Sequence, residues 1–205
     1  RVKVAALFVE PKGPYFGRED VEPWDEARDA RLYAGPWPVV AHPPCSRWGR
    51  FWWRGVLGAD GGCFGSALAS VRRFGGVLEH PEGTLAWARF GLEIPAFGQW
   101  RRGLFDAGWT TALDQAAYGH RARKRSWLYF VGATAPPVLD WKSTKGTLVA
   151  ANGSHRVGVE LMGKTERRLT PPRFAEALLA LARAAARGGQ TEDETPSLFD
   201  GMEAL

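Results

Sequence analysis

Sulfur is scarce in this chain, with two cysteines, Cys45 and Cys63, and two methionines in 205 residues. Two thiols so spaced give neither a disulfide framework nor the paired ligands of a zinc site. The expectation is free thiols in a reducing compartment and no metal. Long apolar runs are also missing. No stretch approaches the roughly 20 residues that cross a bilayer, and the opening Arg1-Val2-Lys3-Val4-Ala5-Ala6-Leu7 runs directly into a strand-like segment. A cytoplasmic protein with no membrane partner is therefore expected. Acid is the minority charge, 22 Asp and Glu against 27 Lys and Arg, which leaves a net charge of +5 and a pI of about 9.5. That sign favours a polyanionic partner such as DNA. No internal repeat is present, so a repeat architecture is not expected.

Tryptophan, by contrast, is abundant. Ten are present, and Trp48, Trp52 and Trp53 cluster in one short stretch. Rings of this size either fill a core or offer a stacking wall to a nucleobase, and the sequence leaves both open. An apolar fraction of 45% and a charged fraction of 24% belong to an ordinary globular protein. The length suits one main domain with small appendages.

Val2 to Val9 reads as a buried strand, mostly apolar and β-branched and closed by Pro11 and Gly13. Pro23 to Tyr33 reads as a helix, with Pro23 in its first turn and Asp25 and Glu26 near its positive end. Val39 to Ala41 is the next strand, followed by a Trp- and Gly-rich loop to Gly62. A helix from Ser66 to Phe74 then stops at Gly75-Gly76, and Val77-Leu78 begins another strand. Gly83 to Trp109 gives no clear element. A basic run, Tyr118-Gly119-His120-Arg121-Ala122-Arg123-Lys124-Arg125, feeds a strand over Trp127 to Gly132. Thr170 is a good N-cap and Pro171 a first helical residue for an Ala/Leu-rich helix from Phe174 to Ala186. The alternation predicts an α/β fold with a mostly parallel sheet flanked by helices. The expected division is a catalytic core over residues 1–132, a loop-rich insertion over 133–165, a C-terminal helix over 166–188 packed on the core, and an acidic tail over 189–205.

Two strand ends carry chemistry. Pro38-Val39-Val40-Ala41-His42-Pro43-Pro44-Cys45-Ser46-Arg47-Trp48-Gly49 closes an apolar run with a proline pair and a thiol, and Gly76-Val77-Leu78-Glu79-His80-Pro81 repeats the design with a carboxylate. Active residues of open α/β sheets lie beyond the carboxyl ends of strands, so Cys45 and Glu79 are candidate nucleophile and acid. The blander alternatives are a small buried thiol and a surface carboxylate. Alternation in a strand sends Arg123 and Arg125 to one face, in the site or on phosphates, where a solvated basic face is the default. His42, His80 and His120 adjoin these segments, too far apart in sequence to form a metal site.

The order of these pieces resembles the catalytic half of the DNA cytosine-C5 methyltransferases over roughly residues 38 to 180. That family has a Pro-Cys nucleophile at one strand end, a Glu-Asn-Val segment at the next, a Gln-x-Arg-x-Arg segment before a strand ending in Val-Gly, and an Arg-x-Leu-Thr segment near its end. Pro44-Cys45 matches the first, Glu79-His80-Pro81 the second through its Glu, the run ending in Trp127 to Gly132 the third, and Arg167-Arg168-Leu169-Thr170 the fourth. Aligned on Val-Gly, Arg125 falls at the first family arginine and Arg123 at the glutamine. The resemblance implies a truncated Rossmann-like methyltransferase fold and a Cys45 thiolate that adds to C6 of a cytosine flipped out of DNA. It also implies that Glu79 acts at N3 and the exocyclic amine, with help from Arg123 and Arg125. Pro44, Ser46, Trp48, His80, His120 and Arg121 would line the substrate site, and residues 133–165 would read the target. S-adenosylmethionine would be the donor, held by Phe8, Glu10 and Gly13. The chain departs from the family in its first loop, which has only scattered glycines where the family has Phe-x-Gly-x-Gly, and in the short distance from the first strand to Cys45. Two alternatives stand beside this expectation: a pyrimidine-modifying enzyme with another donor, and a non-catalytic, phage-type DNA-binding protein of the same fold. Leu198-Phe199 in the tail resembles the end of sliding-clamp-binding peptides, which implies the clamp as a partner.

Overall fold

The structure is a computed structural model that describes residues 2–49, 52–142, 149–150, 160–163 and 165–187. Among the described residues the main feature is a seven-stranded sheet of β1 (Val4–Leu7), β2 (Val21–Trp24), β3 (Val39–Ala41), β4 (Gly76–Pro81), β5 (Arg101–Arg102), β6 (Trp109–Asp114) and β7 (Arg125–Val131), in the order β2-β1-β3-β4-β7-β6-β5. Strands β2, β1, β3 and β4 are parallel. Strands β7, β6 and β5 each run antiparallel to their inner neighbour. The sheet is therefore mixed, and the mostly parallel sheet expected from the sequence holds for its first half only. A short parallel pair of β8 (Val149–Ala150) and β9 (Leu161–Met162) lies apart from it.

The central strands read as unbroken apolar runs because helices cover both faces. Val4 and Ala6 of β1, Val40 of β3, Val77 of β4 and Leu128 and Phe130 of β7 pack with Phe174, Leu178 and Leu181 of α3 (Pro172–Arg187). Ala5, Leu7, Val39, Ala41, Leu78 and Tyr129 pack on the other face with Phe64, Ala67, Leu68 and Val71 of α1 (Cys63–Phe74). A short helix, α2 (Leu85–Arg89), follows β4 and adds Trp87 to the second cluster. Period-two alternation thus assigns each strand residue to the α3 face or the α1 face.

The helix expected over Pro23 to Tyr33 is absent. Val21–Trp24 is instead the edge strand β2, and a 3-10 turn follows at Ala30–Leu32, capped by Asp29 in the left-handed region. An edge strand tolerates Pro23 because one side of it owes no ladder hydrogen bond. From β1 the chain goes to β2 on one side and then crosses to β3 on the other, so the strand order reverses between β1 and β3. In open α/β sheets, ligands bind in the crevice outside the carboxyl ends of the strands at such a point. The acidic tail with Leu198-Phe199, and most of the insertion, lie outside the described residues.

Candidate functional site

At the carboxyl end of β3 the chain turns through His42, Pro43 and Pro44, and Cys45 follows, its carbonyl accepting from the amides of Trp48 and Gly49 at 3.0 and 2.9 Å. The thiol is exposed. Enough protein still surrounds it that desolvation raises its pKa, helped by the charge of Glu79, while Lys124 and Arg168 pull it down. Glu79 stands on the neighbouring strand β4, on the α3 face with Val77, and opposite Leu128 of β7.

Both Glu79 oxygens are engaged. Oε2 meets Nδ1 of His42 at 2.9 Å, and Oε1 accepts from the Ser126 hydroxyl and from Gln115 Nε2 at 3.2 Å. Gln115 also donates to Ser126 Oγ at 2.8 Å. Burial alone would raise the carboxyl pKa. The hydrogen bond and charge of His42, the Lys124 ammonium and the Ser126 hydroxyl outweigh it and hold Glu79 at about 2. On its far side the His42 ring meets the Tyr15 hydroxyl at 2.8 Å. Tyr15 is only 2% exposed, and burial followed by the charge of Glu79 drives its phenol pKa well up.

Lys124 completes the cluster. Its ammonium donates to the Leu169 carbonyl at 3.2 Å and the Arg168 carbonyl at 3.5 Å, just ahead of α3. Desolvation lowers its pKa, opposed by the charges of Glu79, Cys45 and Glu10. Ser126 shares the Glu79 face of the sheet, and Lys124, in the extended lead-in to β7, alternates with Arg123 and Arg125 to the same side. Those arginines are engaged elsewhere: Arg123 Nε lies 3.6 Å from Asp114 Oδ2, and Arg125 pairs with Glu82 at 3.1 Å and covers the Phe97 ring.

The remaining residues named from the sequence are dispersed. Pro44 and Ser46 are exposed beside Cys45. Trp48 is buried, with its indole N–H on Asp60 at 2.8 Å. His80 points to the α1 face, fully buried against Phe64 and Trp87, with Nδ1 on the Thr84 hydroxyl at 2.7 Å; burial drops its pKa to about 4. His120 ties its own turn through the backbone of Ala122. Arg121 pairs with Glu166 and Glu160 at 2.9 and 3.3 Å. Glu10 is exposed, and its carbonyl accepts from the amide of Gly13 in the turn that follows β1. Phe8, directly after β1, holds a left-handed φ of 58°, the kind of backbone strain that clusters near functional sites.

The structure thus brings Cys45 and Glu79 together and adds His42, Tyr15, Lys124, Ser126 and Gln115. Lys124 belongs to the basic run ahead of the Trp127 strand and Ser126 directly follows it, but nothing in the sequence set either above Arg123 and Arg125. Gln115 and Tyr15 carried no comparable signal.

These features define an α/β protein with a mixed sheet and a thiol–carboxylate–ammonium cluster at the carboxyl ends of its parallel strands. Comparisons with protein-family models, curated proteins and solved structures found no match.

Proposed function

We propose that the protein is a cytosine-C5 methyltransferase-like enzyme acting on DNA, whose first step is addition of the Cys45 thiolate to C6 of a flipped cytosine. The observation that carries this reading is the convergence of Cys45, just past the end of β3, with Glu79 on β4 and Lys124: the charges of Glu79 and Lys124 both act on the thiol, and the ammonium and carboxylate act on each other. Addition makes the Sγ–C6 bond and shifts the C5=C6 electron pair toward C5 and the ring, while N3 takes up a proton. Lys124 and Arg168 favour the thiolate. Glu79 enters as a carboxylate, accepts from the exocyclic amine, and passes to N3 the proton it shares with His42. One of its present donors gives way when the base edge arrives. A base inside a duplex is out of reach of any thiol, so the target must be flipped out or already unpaired.

The donor is a separate question. A nucleotide-type cofactor site uses a glycine turn that feeds a helix after the first strand. Here Phe8 to Asp20 is a chain of turns leading straight to β2, and the buried Tyr15 hydroxyl occupies the mouth between β1 and β3 on His42. These residues do not fit S-adenosylmethionine in the usual place. Tyr15 thereby favours the second reading, the same thiol addition with a different donor.

Sulfur addition at C6 labilises the C5 hydrogen whatever the donor. DNA tritiated at cytosine C5 is expected to release tritium to water with the wild-type protein and not with Cys45→Ala. No release, or release that survives Cys45→Ala, overturns the mechanism. Nucleoside mass spectrometry of DNA from cells expressing the protein then identifies the group added.

A further inference from the structure

Trp48 folds inward after Cys45, but the loop beyond it does the opposite. The 3-10 turn Trp52–Arg54 and its continuation leave Trp52 37%, Trp53 61%, Val56 72% and Leu57 43% exposed. Large rings normally go inside. Beside this loop lies a cavity of about 380 Å³ lined by Trp48, Leu57, Asp60, Leu85, Arg89 and Phe90, with glycines at 58, 62 and 65. Gly58 permits the tight wall, since a side chain there would press on the Trp48 ring at 2.9 Å. Asp60 is already committed to the Trp48 indole and the amides of Gly62 and Phe64. The charge left to the cavity is the exposed Arg89, which has no ion pair among the described residues.

The cavity is large enough for a small planar ligand and mostly apolar, with one cation at its edge. A planar, apolar-faced ring joined to an anion is the description of a base on a phosphodiester chain. Charge points the same way: Arg47, Arg50 and Arg54 are interleaved with the tryptophans in the sequence, and the whole chain carries +5. In a duplex, neighbouring bases cover each base face, so duplex DNA has no free faces to stack on exposed indoles. An unpaired strand does, and aromatic platforms in a basic groove are the usual means of holding one.

We propose that the Trp52–Leu57 loop and the adjoining cavity are base-stacking subsites for single-stranded DNA flanking the target, so that the substrate of the Cys45 site is an unpaired stretch. The proposal rests on the reading of Cys45 as a nucleophile toward DNA. Trp52 and Trp53 stack successive bases, the cavity takes one more, and Arg89 meets its phosphate.

The test is fluorescence anisotropy with a labelled strand of about 12 nucleotides, a length suited to such grooves, free and annealed to its complement. Wild-type protein is expected to bind the single strand at least about tenfold tighter than the duplex, and each of Trp52→Ala and Trp53→Ala to weaken it about tenfold. Leu57→Glu, which brings an acid to the cavity wall, weakens it as well. The exposed tryptophan variants keep the wild-type melting temperature and duplex affinity. Equal or tighter duplex binding, or single-strand binding indifferent to the tryptophans, overturns the proposal. Tritium release on each substrate separates the two ideas. Single-strand preference without release leaves the stacking surface standing and removes the chemistry, whereas release from duplex DNA with no tryptophan dependence removes the stacking surface alone.

Discussion

Glu79 and His80 are neighbours in sequence with opposite surroundings, and pH separates them. Glu79 is held at about 2 against an ordinary 4.5 by His42, Lys124 and Ser126, although burial opposes this. Its folded form binds protons less readily than the unfolded form, so its contribution is complete above pH 4.5 and lost as pH falls toward 2. His80, kept neutral by burial at about 4 against 6.5, follows the same sign over a higher window, with stability lost as pH falls from 6.5 toward 4. Each window is worth about 3 kcal/mol. Urea unfolding across pH is expected to show both declines, with Glu79→Gln removing the acidic one and His80→Gln the upper one. A single decline unchanged by both variants contradicts these assignments. Lys124 has its own prediction. Lys124→Met removes a charge that lowers the Cys45 thiol pKa, so iodoacetamide should alkylate Cys45 more slowly at neutral pH, while Arg123→Met, whose partner is Asp114, leaves the rate alone. Equal slowing by both would reduce the effect to net charge. Cys45 and Glu79 were legible in the sequence because one follows an apolar run closed by a proline pair and the other directly follows Val77-Leu78. The choice of Lys124 over Arg123 and Arg125 was not, since it depends on a one-residue parity set where β7 pairs with β4.

At the scale of elements, glycine and the buried helix face make the sharpest demands. Gly76 opens β4 with φ 120°, and a side chain there would lie 2.0 Å from the Val39 carbonyl oxygen. Gly76→Ala is expected to cost about 3 kcal/mol or more by prising β3 from β4, the two strands that aim Cys45 and Glu79. Leu178 of α3 is fully buried against the sheet, and Leu178→Ala should cost about 2–5 kcal/mol. Chemical denaturation checks both, and losses below about 1 kcal/mol would contradict the packing described here. Strands β1, β3, β4 and β7 were anticipated because their apolar runs are bounded by proline or glycine. Strand β2 was mistaken for a helix because Pro23 with nearby acids imitates a helix start, and its pairing with β1 overrides that local signal. Strand β6, Trp109–Asp114, gave little warning: Thr110 and Thr111 are buried and polar, and they fit a strand only once β7 lies beside them.

For the whole molecule, the excess of five positive charges predicts DNA affinity that falls linearly on a log–log plot against salt. Cys45→Ala should keep that slope, because the substitution removes no positive charge; a salt-independent affinity would count against a DNA partner. Residue pattern alone was enough to settle the α/β class, the apolar strands that lead to Cys45 and carry Glu79, and the amphipathic C-terminal helix. Those signals act over a few residues, through side-chain period and glycine or proline stops. Tertiary structure decided that the sheet turns antiparallel beyond β4, that Tyr15 and His42 close on Glu79, and that the charge of Lys124 reaches both Glu79 and the thiol. Such choices depend on strand order and pairing between segments distant in sequence, and the face a residue occupies exists only after that pairing is made.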